Sequence, residues 1–377
     1  MSKVTTSFPR SAWERRAAPT ISFPCSAWER RTAAIALWAA LLLGPLALTV
    51  FAQQADPEKS AVELITPQAD QAVKKALGWL AGRQHQDGSF GSDAYRGNVA
   101  VTALAGMAMM AGGSTPDRGP YGPHVTRAVD YLLSRTQESG FITDADSASH
   151  GPMYGHGFAT LFLSECYGMS LRPELREKLT KAVNLIVNTQ NEDGGWRYYP
   201  QRYEADISVT VCQVMALRAA RNAGLFVPNE TIDRCTEYVR KSRNADGGFR
   251  YMLHEGRESA FPRSAAGVVA LYSAGIYEGE DVEKGLEYLM QFLPSDDVAR
   301  RGPENYFYYG HYYAVQATWQ AGGDYWSRWY PAIRDELLSR QRPDGSWTSL
   351  TICPEYATAM ALLVLQLPEN LLPIFQR

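Results

Sequence analysis

The chain is poor in the residues from which compact reactive sites are usually built. Its 377 residues include 5 cysteines and 6 histidines, and no Cys-x-x-Cys pair occurs, so the local spacing of zinc ribbons and dithiol redox sites is missing. No P-loop or dinucleotide-binding fingerprint is present, which leaves no Gly-rich cradle for a nucleotide phosphate. A basic surplus is missing too. Beyond residue 52 stand 31 basic and 38 acidic side chains, a formal charge of −7, and this argues against nucleic acid, whose binding is dominated by phosphate neutralisation. An uncharged apolar run long enough to approach the thickness of a bilayer stands at residues 33–50, and membrane contact is expected only through that N-terminal segment.

What is present is ordinary globular material, 45% hydrophobic and 20% charged, ample for a large core. The first residues stand apart. Residues 7–16 (SFPRSAWERR) recur at 22–31 (SFPCSAWERR) with a single change, Arg10 for Cys25. Such a copy is read either as an upstream extension or as a basic arm. Arg30 and Arg31 then precede the apolar run, which ends in a cleavage-like Val50-Phe51-Ala52. That is the layout of a secretory signal peptide, with an uncleaved anchor as the alternative. Either way the protein is expected to be exported: periplasmic, secreted or anchored. The expected organisation is an extension with signal or anchor at 1–52, a linker at 53–67, one folded domain at 68–367 and a tail at 368–377. Cys166, Cys212, Cys235 and Cys353 lie in or beside apolar helical patterns and are expected as buried free thiols.

Self-similarity carries the fold argument. The phrase QHQDGSF at residues 84–90 returns as QNEDGGW at 190–196, RNADGGF at 243–249 and RPDGSW after Gln341, with a shortened QESGF at 137–141. The first three intervals are each 53 residues and the last is 98, room for two units, with the missing copy falling near Gln291. Each phrase follows a segment with an apolar stripe and a charged face, such as Ala72, Val73, Ala76, Leu77 and Leu80. Each is followed by a segment apolar nearly all round: 99–111, 158–169, 207–223, 265–276, 313–321 and 356–367. A helix without a polar face must be enclosed. Six half-wet helices alternating with six dry ones predict an all-α, six-hairpin (α/α)6 toroid with inner and outer rings, an open superhelix of the same hairpins being the alternative. The phrase supplies the turn: Gly for positive φ, Asp to brace it, and an aromatic to fill the gap between hairpins. Pro173, Pro228 and Pro331 are placed near helix starts.

These phrases resemble the glutamine-tryptophan repeat of squalene and oxidosqualene cyclases, and their spacing resembles protein prenyltransferase β subunits. The resemblance covers residues 66–367 and implies the toroid, with closer kinship to exported bacterial prenyltransferase and squalene oxidase repeat proteins. It implies little about activity. Cyclases of this type start with an Asp-x-Asp-Asp acid, and no such string occurs. Asp144-Ala-Asp146 and Asp296-Asp297 are the nearest strings, in loop-like stretches.

Asp206 opens the third inner helix with Glu204, Ser208 and Thr210 nearby; it is read as an N-cap worth about 1 kcal/mol or as a proton donor. Prenyltransferase β subunits hold zinc through Asp, Cys and His near the barrel mouth. Here His156, Asp206, His311 and Cys353 (with Glu355) stand at inner-helix starts, facing one opening, and are the candidate zinc ligands; none is a firm assignment, because they come from four hairpins. Asp206, His311 and His156 are the catalytic candidates. Tyr306, Phe307, Tyr308, Tyr309, Tyr312 and Tyr313 cluster around Gly310 and His311, and Tyr154 precedes Gly155 and His156. Tyr154, Tyr306, Tyr308, Tyr309 and Tyr312 are the ligand-binding candidates, with packing of a segment 294–309 over the mouth as the alternative. Glycines beside both histidines suggest close ligand approach. A thioester domain is excluded, since no Cys-Gly-Glu-Gln string occurs. The expected function is a binding protein for an apolar small molecule or a peptide at the barrel mouth, without cyclase chemistry. The alternatives are an isoprenoid-active transferase or cyclase-like enzyme, or a polysaccharide-active one using carboxylates and stacking.

Overall fold

A computed structural model describes residues 61–170, 172–294 and 306–376. The tandem copy, the apolar run, residues 53–60 of the expected linker and Asp296-Asp297 lie outside the described residues. The described residues all belong to the unit Ala55–Arg377.

Twelve α-helices and no strand occur among the described residues. The outer helices are α1 (Pro67–Ala81), α3 (Gly122–Ser134), α5 (Pro173–Thr189), α7 (Asn229–Ser242), α9 (Glu280–Met290) and α11 (Gly323–Arg340); the inner ones are α2 (Val99–Ala111), α4 (Pro152–Tyr167), α6 (Ile207–Asn222), α8 (Phe261–Ser273), α10 (Phe307–Ala321) and α12 (Pro354–Gln366). Thr66 starts α1 by accepting from the Ala69 amide at 3.2 Å, and the helix buries Ala69, Ala72, Val73, Ala76, Leu77 and Leu80. Asn98 caps α2 in the same way, at 3.0 Å from the Val101 amide. Every residue of α2 but Ala100 is buried, as its missing polar face requires. Each inner helix packs on the next, and α12 packs back on α2, so the ring closes.

The repeated phrase builds the joints. Gln84 Nε2 donates to the Gly88 carbonyl at 3.0 Å and to His124 on the next outer helix at 2.9 Å. Gln190 repeats this with Gly194 and Thr231, both at 2.8 Å. Gln341 does so with Gly345 at 2.9 Å and Ala72 at 3.0 Å, and because Ala72 lies in α1 this last joint shuts the ring. Only glycine fits the turn: Gly194 has φ +100°, and a Cβ there would stand 2.2 Å from the Arg234 carbonyl of α7. The aromatics Phe90, Trp196, Phe249 and Trp347 are buried. Their backbone amides donate to hydroxyls near the inner-helix starts: Thr102 (3.0 Å), Thr210 (3.1 Å), Ser264 (2.9 Å) and Thr358 (3.1 Å).

Several expectations need correction. The inner helices α4, α8 and α10 begin four to six residues earlier than their dry stretches suggested, because glycine-, proline- and aromatic-rich first turns were read as loop. The aromatic run therefore starts a helix, and Tyr308 and Tyr309 lie in its first turn. Pro331 sits inside α11, not near its start. The shortened phrase is also displaced by one residue. The Gln137 amide donates to the Phe141 carbonyl at 2.9 Å, as the His85 amide does to Ser89, which puts Ile142, fully buried, in the slot held elsewhere by Trp or Phe.

The far end of the ring is covered by the chain itself. After α12 the tail turns through two short 3-10 segments and buries Leu372, Ile374 and Phe375. Trp319 Nε1 and Gln320 Nε2 hold the Phe375 carbonyl at 2.9 and 3.0 Å.

Candidate functional site

Alternation of outer and inner helices makes all six inner helices run the same way, so their first turns meet at one opening. There they enclose a cavity of about 610 Å3. Val99, Val101 and Leu104 come from α2, Tyr154 and Phe158 from α4, Ser208 from α6, Pro262 and Arg263 from α8, Tyr309 from α10, and Tyr356 and Met360 from α12. Tyr95, Tyr198, Tyr251, Tyr306 and Thr351 form the rim. Apolar and aromatic side chains predominate in the lining.

The sequence-derived site residues divide sharply between wall and core. Tyr154, Tyr306 and Tyr309 line the cavity, whereas Tyr308 and Tyr312 are buried elsewhere, Tyr312 edge-on to Phe158 at 6.2 Å. His156 is fully buried and off the wall. Its Nδ1 accepts the Ile142 amide at 3.1 Å and its Nε2 lies 3.2 Å from the Ala182 carbonyl of α5. It thus occupies the slot of Thr102, Thr210, Ser264 and Thr358, a structural acceptor for the incoming turn. Burial pushes its pKa down to about 4, so the ring is neutral across the working range.

His311 holds the equivalent fifth position of α10, as His156 does in α4. Its ring packs against Phe307 (4.5 Å between centroids), Phe261 (5.0 Å) and Trp329 (5.8 Å). Burial, aided by the Arg340 charge, lowers its pKa to about 3. The neighbouring glycines serve packing. A Cβ at Gly157 would stand 2.8 Å from Gln213, and one at Gly310 2.7 Å from the Phe261 ring.

Asp206 is fully buried and caps α6, accepting from the Val209 amide at 2.8 Å. Its other oxygen, Oδ2, faces Arg197 Nη1 at 3.6 Å, beyond a firm hydrogen bond. Burial raises its pKa to about 7 against the opposing pull of the Val209 amide and the Arg197 charge. It stands behind the wall, close to Tyr154 and Tyr251. Cys353 precedes α12, its thiol pushed up to about 11 by burial, and Glu355 is tied to Arg83. Asp144 is the carboxylate on the wall, already paired with Arg135 at 3.0 Å and Tyr131 at 2.8 Å. Asp146 stands next to it in a turn, its backbone amide donating to Asp144 at 3.0 Å. Among the described residues no group of three or more His, Cys, Asp or Glu could hold a metal ion. The four zinc candidates each have separate surroundings, so they do not converge.

Four rim residues, Tyr95, Tyr198, Tyr251 and Thr351, went unrecognised. Tyr198 and Tyr251 stand 53 positions apart, each closing a Gly-Gly-aromatic-Arg-Tyr string, and their hydroxyls meet in a short hydrogen bond. Arg197 lies over both rings, at 4.7 and 5.6 Å, and pairs with Glu204 at 2.8 Å. The shared string was the available signal.

A closed ring of six hairpins with one aromatic mouth defines the α/α toroids, and the chain belongs to the prenyltransferase alpha-alpha toroid domain family, which matches residues 64–181 and 171–293, over half its length. Among solved structures it is similar to a type II terpene cyclase from Scytonema in complex with merosterolic acid A (13% identity, 80% of this chain and 97% of that one, TM-score 0.56). It is similar also to a protein from Actinoplanes (17% identity, 80% and 99%, TM-score 0.55) and to an inactive variant of an α-1,6-mannanase from Salegentibacter in complex with α-1,6-mannotriose (8% identity, 80% and 99%, TM-score 0.57). No curated protein matches the sequence. The fold is thus shared by proteins of unlike chemistry, and identities this low establish the fold alone.

Proposed function

We propose that the protein binds an elongated apolar molecule of isoprenoid character in the toroid lumen and does not cyclise it. The observation that carries this is the wall itself: about 610 Å3 lined by Tyr154, Phe158, Tyr309, Tyr356, Leu104 and Met360, within the size and apolar character of small-molecule sites. Supporting the absence of cyclase chemistry, the carboxylate on the described wall, Asp144, is held by Arg135 and Tyr131, so among the described lining residues no carboxyl group is free to protonate a double bond. The polysaccharide reading is weaker, since hydrolysis needs two facing carboxyl groups and the described wall presents one. The apolar run at 33–50 supports placement outside the cytoplasm, checked by fractionating cells that express the full chain.

Asp206 sustains a second reading. A carboxyl group protonated near neutrality beside Tyr154 and Tyr251 has the proton that a cyclase acid delivers, and the terpene cyclase likeness is consistent with it. Incubating purified protein with squalene or geranylgeraniol, extracting, and analysing by gas chromatography and mass spectrometry separates the two. The binding reading expects saturable quenching of tyrosine and tryptophan emission and unchanged ligand; cyclised product lost in Asp206→Asn refutes it.

A further inference from the structure

The chemical class of the ligand can be narrowed from the hydrogen-bonding state of the tyrosines that face the lumen. Most are occupied: Tyr309 donates to the Ser208 carbonyl at 3.0 Å, Tyr95 to the Thr351 carbonyl at 3.2 Å, and Tyr198 and Tyr251 bond each other. Tyr306 is 54% exposed at the rim and is served by solvent. Tyr154 and Tyr356 are different. Each lies in the first turn of its helix, α4 or α12, each lines the cavity, and neither hydroxyl has a hydrogen-bond partner among the described residues. Tyr356 is only 9% exposed. Both hydroxyls are accessible from the lumen and engage no described protein group, so they are the donors that the wall leaves open to a polar atom of a ligand.

That atom is uncharged. Burial raises the pKa of both phenols, so both stay neutral and able to donate. Arg263 is the Lys or Arg side chain on the described wall, and its Nε and Nη2 are engaged with the carbonyls of Phe249 and Glu258. Arg197 is held by Glu204, and Arg135 by Asp144. An anionic head group therefore meets guanidinium groups that are already engaged, and a cationic one meets a carboxylate that is already paired. A neutral oxygen meets two unengaged phenols with apolar wall below them.

Resting on the lumen-binding reading, we propose that the ligand is a neutral oxygenated apolar molecule, an isoprenoid or polycyclic alcohol or ketone, whose oxygen is hydrogen-bonded by Tyr154 and Tyr356 while its hydrocarbon body fills the space around Leu104, Phe158 and Met360. The two tyrosines then determine specificity and take no covalent part.

The test uses the full chain and three probes of one C15 skeleton: farnesol, farnesene and farnesyl diphosphate. Affinities are read by quenching of intrinsic fluorescence for wild type, Tyr154→Phe, Tyr356→Phe, the double variant and Arg263→Met. Farnesol is expected to bind about tenfold more tightly than farnesene, and each Phe substitution to cost about three- to tenfold for farnesol, the range for a single hydrogen bond. Farnesene affinity should not move, which a merely structural role for the tyrosines would not produce. Equal binding of farnesol and farnesene, or a farnesol affinity untouched in the double variant, overturns the proposal while leaving the lumen as an apolar site. Tightest binding of the diphosphate, lost in Arg263→Met, overturns it in favour of an anionic head group. Failure of all three probes to bind overturns the lumen-binding reading itself, and the proposal with it. Removing one oxygen leaves the packing intact, and matched thermal melts verify that the variants fold.

Discussion

Arg83 Nε donates to Glu355 Oε1 at 2.8 Å across 272 residues of sequence, tying the end of the first outer helix to the start of the last inner one. Glu355 is 1% exposed and its other oxygen accepts from Ser92 at 2.9 Å. Burial alone would raise its pKa, but the hydrogen bonds from Arg83 and Ser92 outweigh that and hold it below the usual range. With Gln341 on Ala72, this pair is the stitch at the seam of the ring.

Cutting the stitch should cost more than a surface contact. Arg83→Ala leaves a buried carboxylate short of its cation, and a loss of about 1–3 kcal/mol is expected in urea unfolding. Since its pKa is lowered, Glu355 stabilises the fold above its unfolded pKa, and this contribution fades as pH falls through the folded value. The difference between wild type and Arg83→Ala should therefore shrink on acidification. A constant difference from pH 7 to pH 3 would show that the charge pair is not what matters there.

The joints predict an equivalence. Gln190 and Gln341 make the same two bonds, one within a hairpin and one to a neighbouring outer helix, so Gln190→Ala and Gln341→Ala should lose similar stability, about 1–3 kcal/mol each. An open spiral would place Gln341 at a free end, and its substitution would then be nearly silent in denaturant unfolding.

Asp206 should act in the opposite sense to Glu355. Its folded pKa, raised to about 7 by burial, lies above the unfolded value, so its contribution is complete below about pH 4 and is lost as pH rises towards 7. Asp206→Asn keeps a capping oxygen and removes the charge. It should melt near wild type at pH 5 and higher than wild type at pH 8, by an amount of order 1–3 kcal/mol. A variant less stable than wild type at pH 8 would mean that Arg197 compensates the ionised carboxylate fully.

How much of this was legible beforehand follows from where each feature is encoded. Six hairpins and their inner and outer rings are written as contiguous patterns: the dry run of α2, the stripe of α1, and Gln84, Gln190 and Gln341 at repeat spacing. The cavity wall is not contiguous. Each inner helix lends it one to four residues, and the prediction that helix starts share one end drew attention to Tyr154, Tyr306 and Tyr309, which line it. It did not separate residues turned to the lumen from those turned to the next hairpin, and so it grouped His156, His311 and Tyr312 with them. For His156 the decisive clue was masked by the one-residue slip of the shortened phrase, which concealed that Ile142 stands in for Trp196 and His156 for Thr210.

The tail offers a last consequence. Glu165 Oε2 accepts the Ile374 amide at 3.2 Å inside the far end of the ring, and burial raises the Glu165 pKa to about 7 against the opposing pull of that amide. Among the described residues no cation offsets its ionisation; Cys166 and Tyr312 feel its charge, and both keep their protons. The protonated form is thus favoured by folding, so docking of the tail should be firmest at low pH and weaken as pH rises through 7. Phe375, 3% exposed beneath the Trp319 and Gln320 bonds, supplies the apolar share, and Phe375→Ala should cost about 3 kcal/mol or more. Amide hydrogen exchange at Ile374 reads both effects. Exchange should quicken between pH 6 and pH 8 beyond its intrinsic base catalysis, and Glu165→Gln, which retains the acceptor without the charge, should remove that excess; an excess that persists in the variant assigns it to another group.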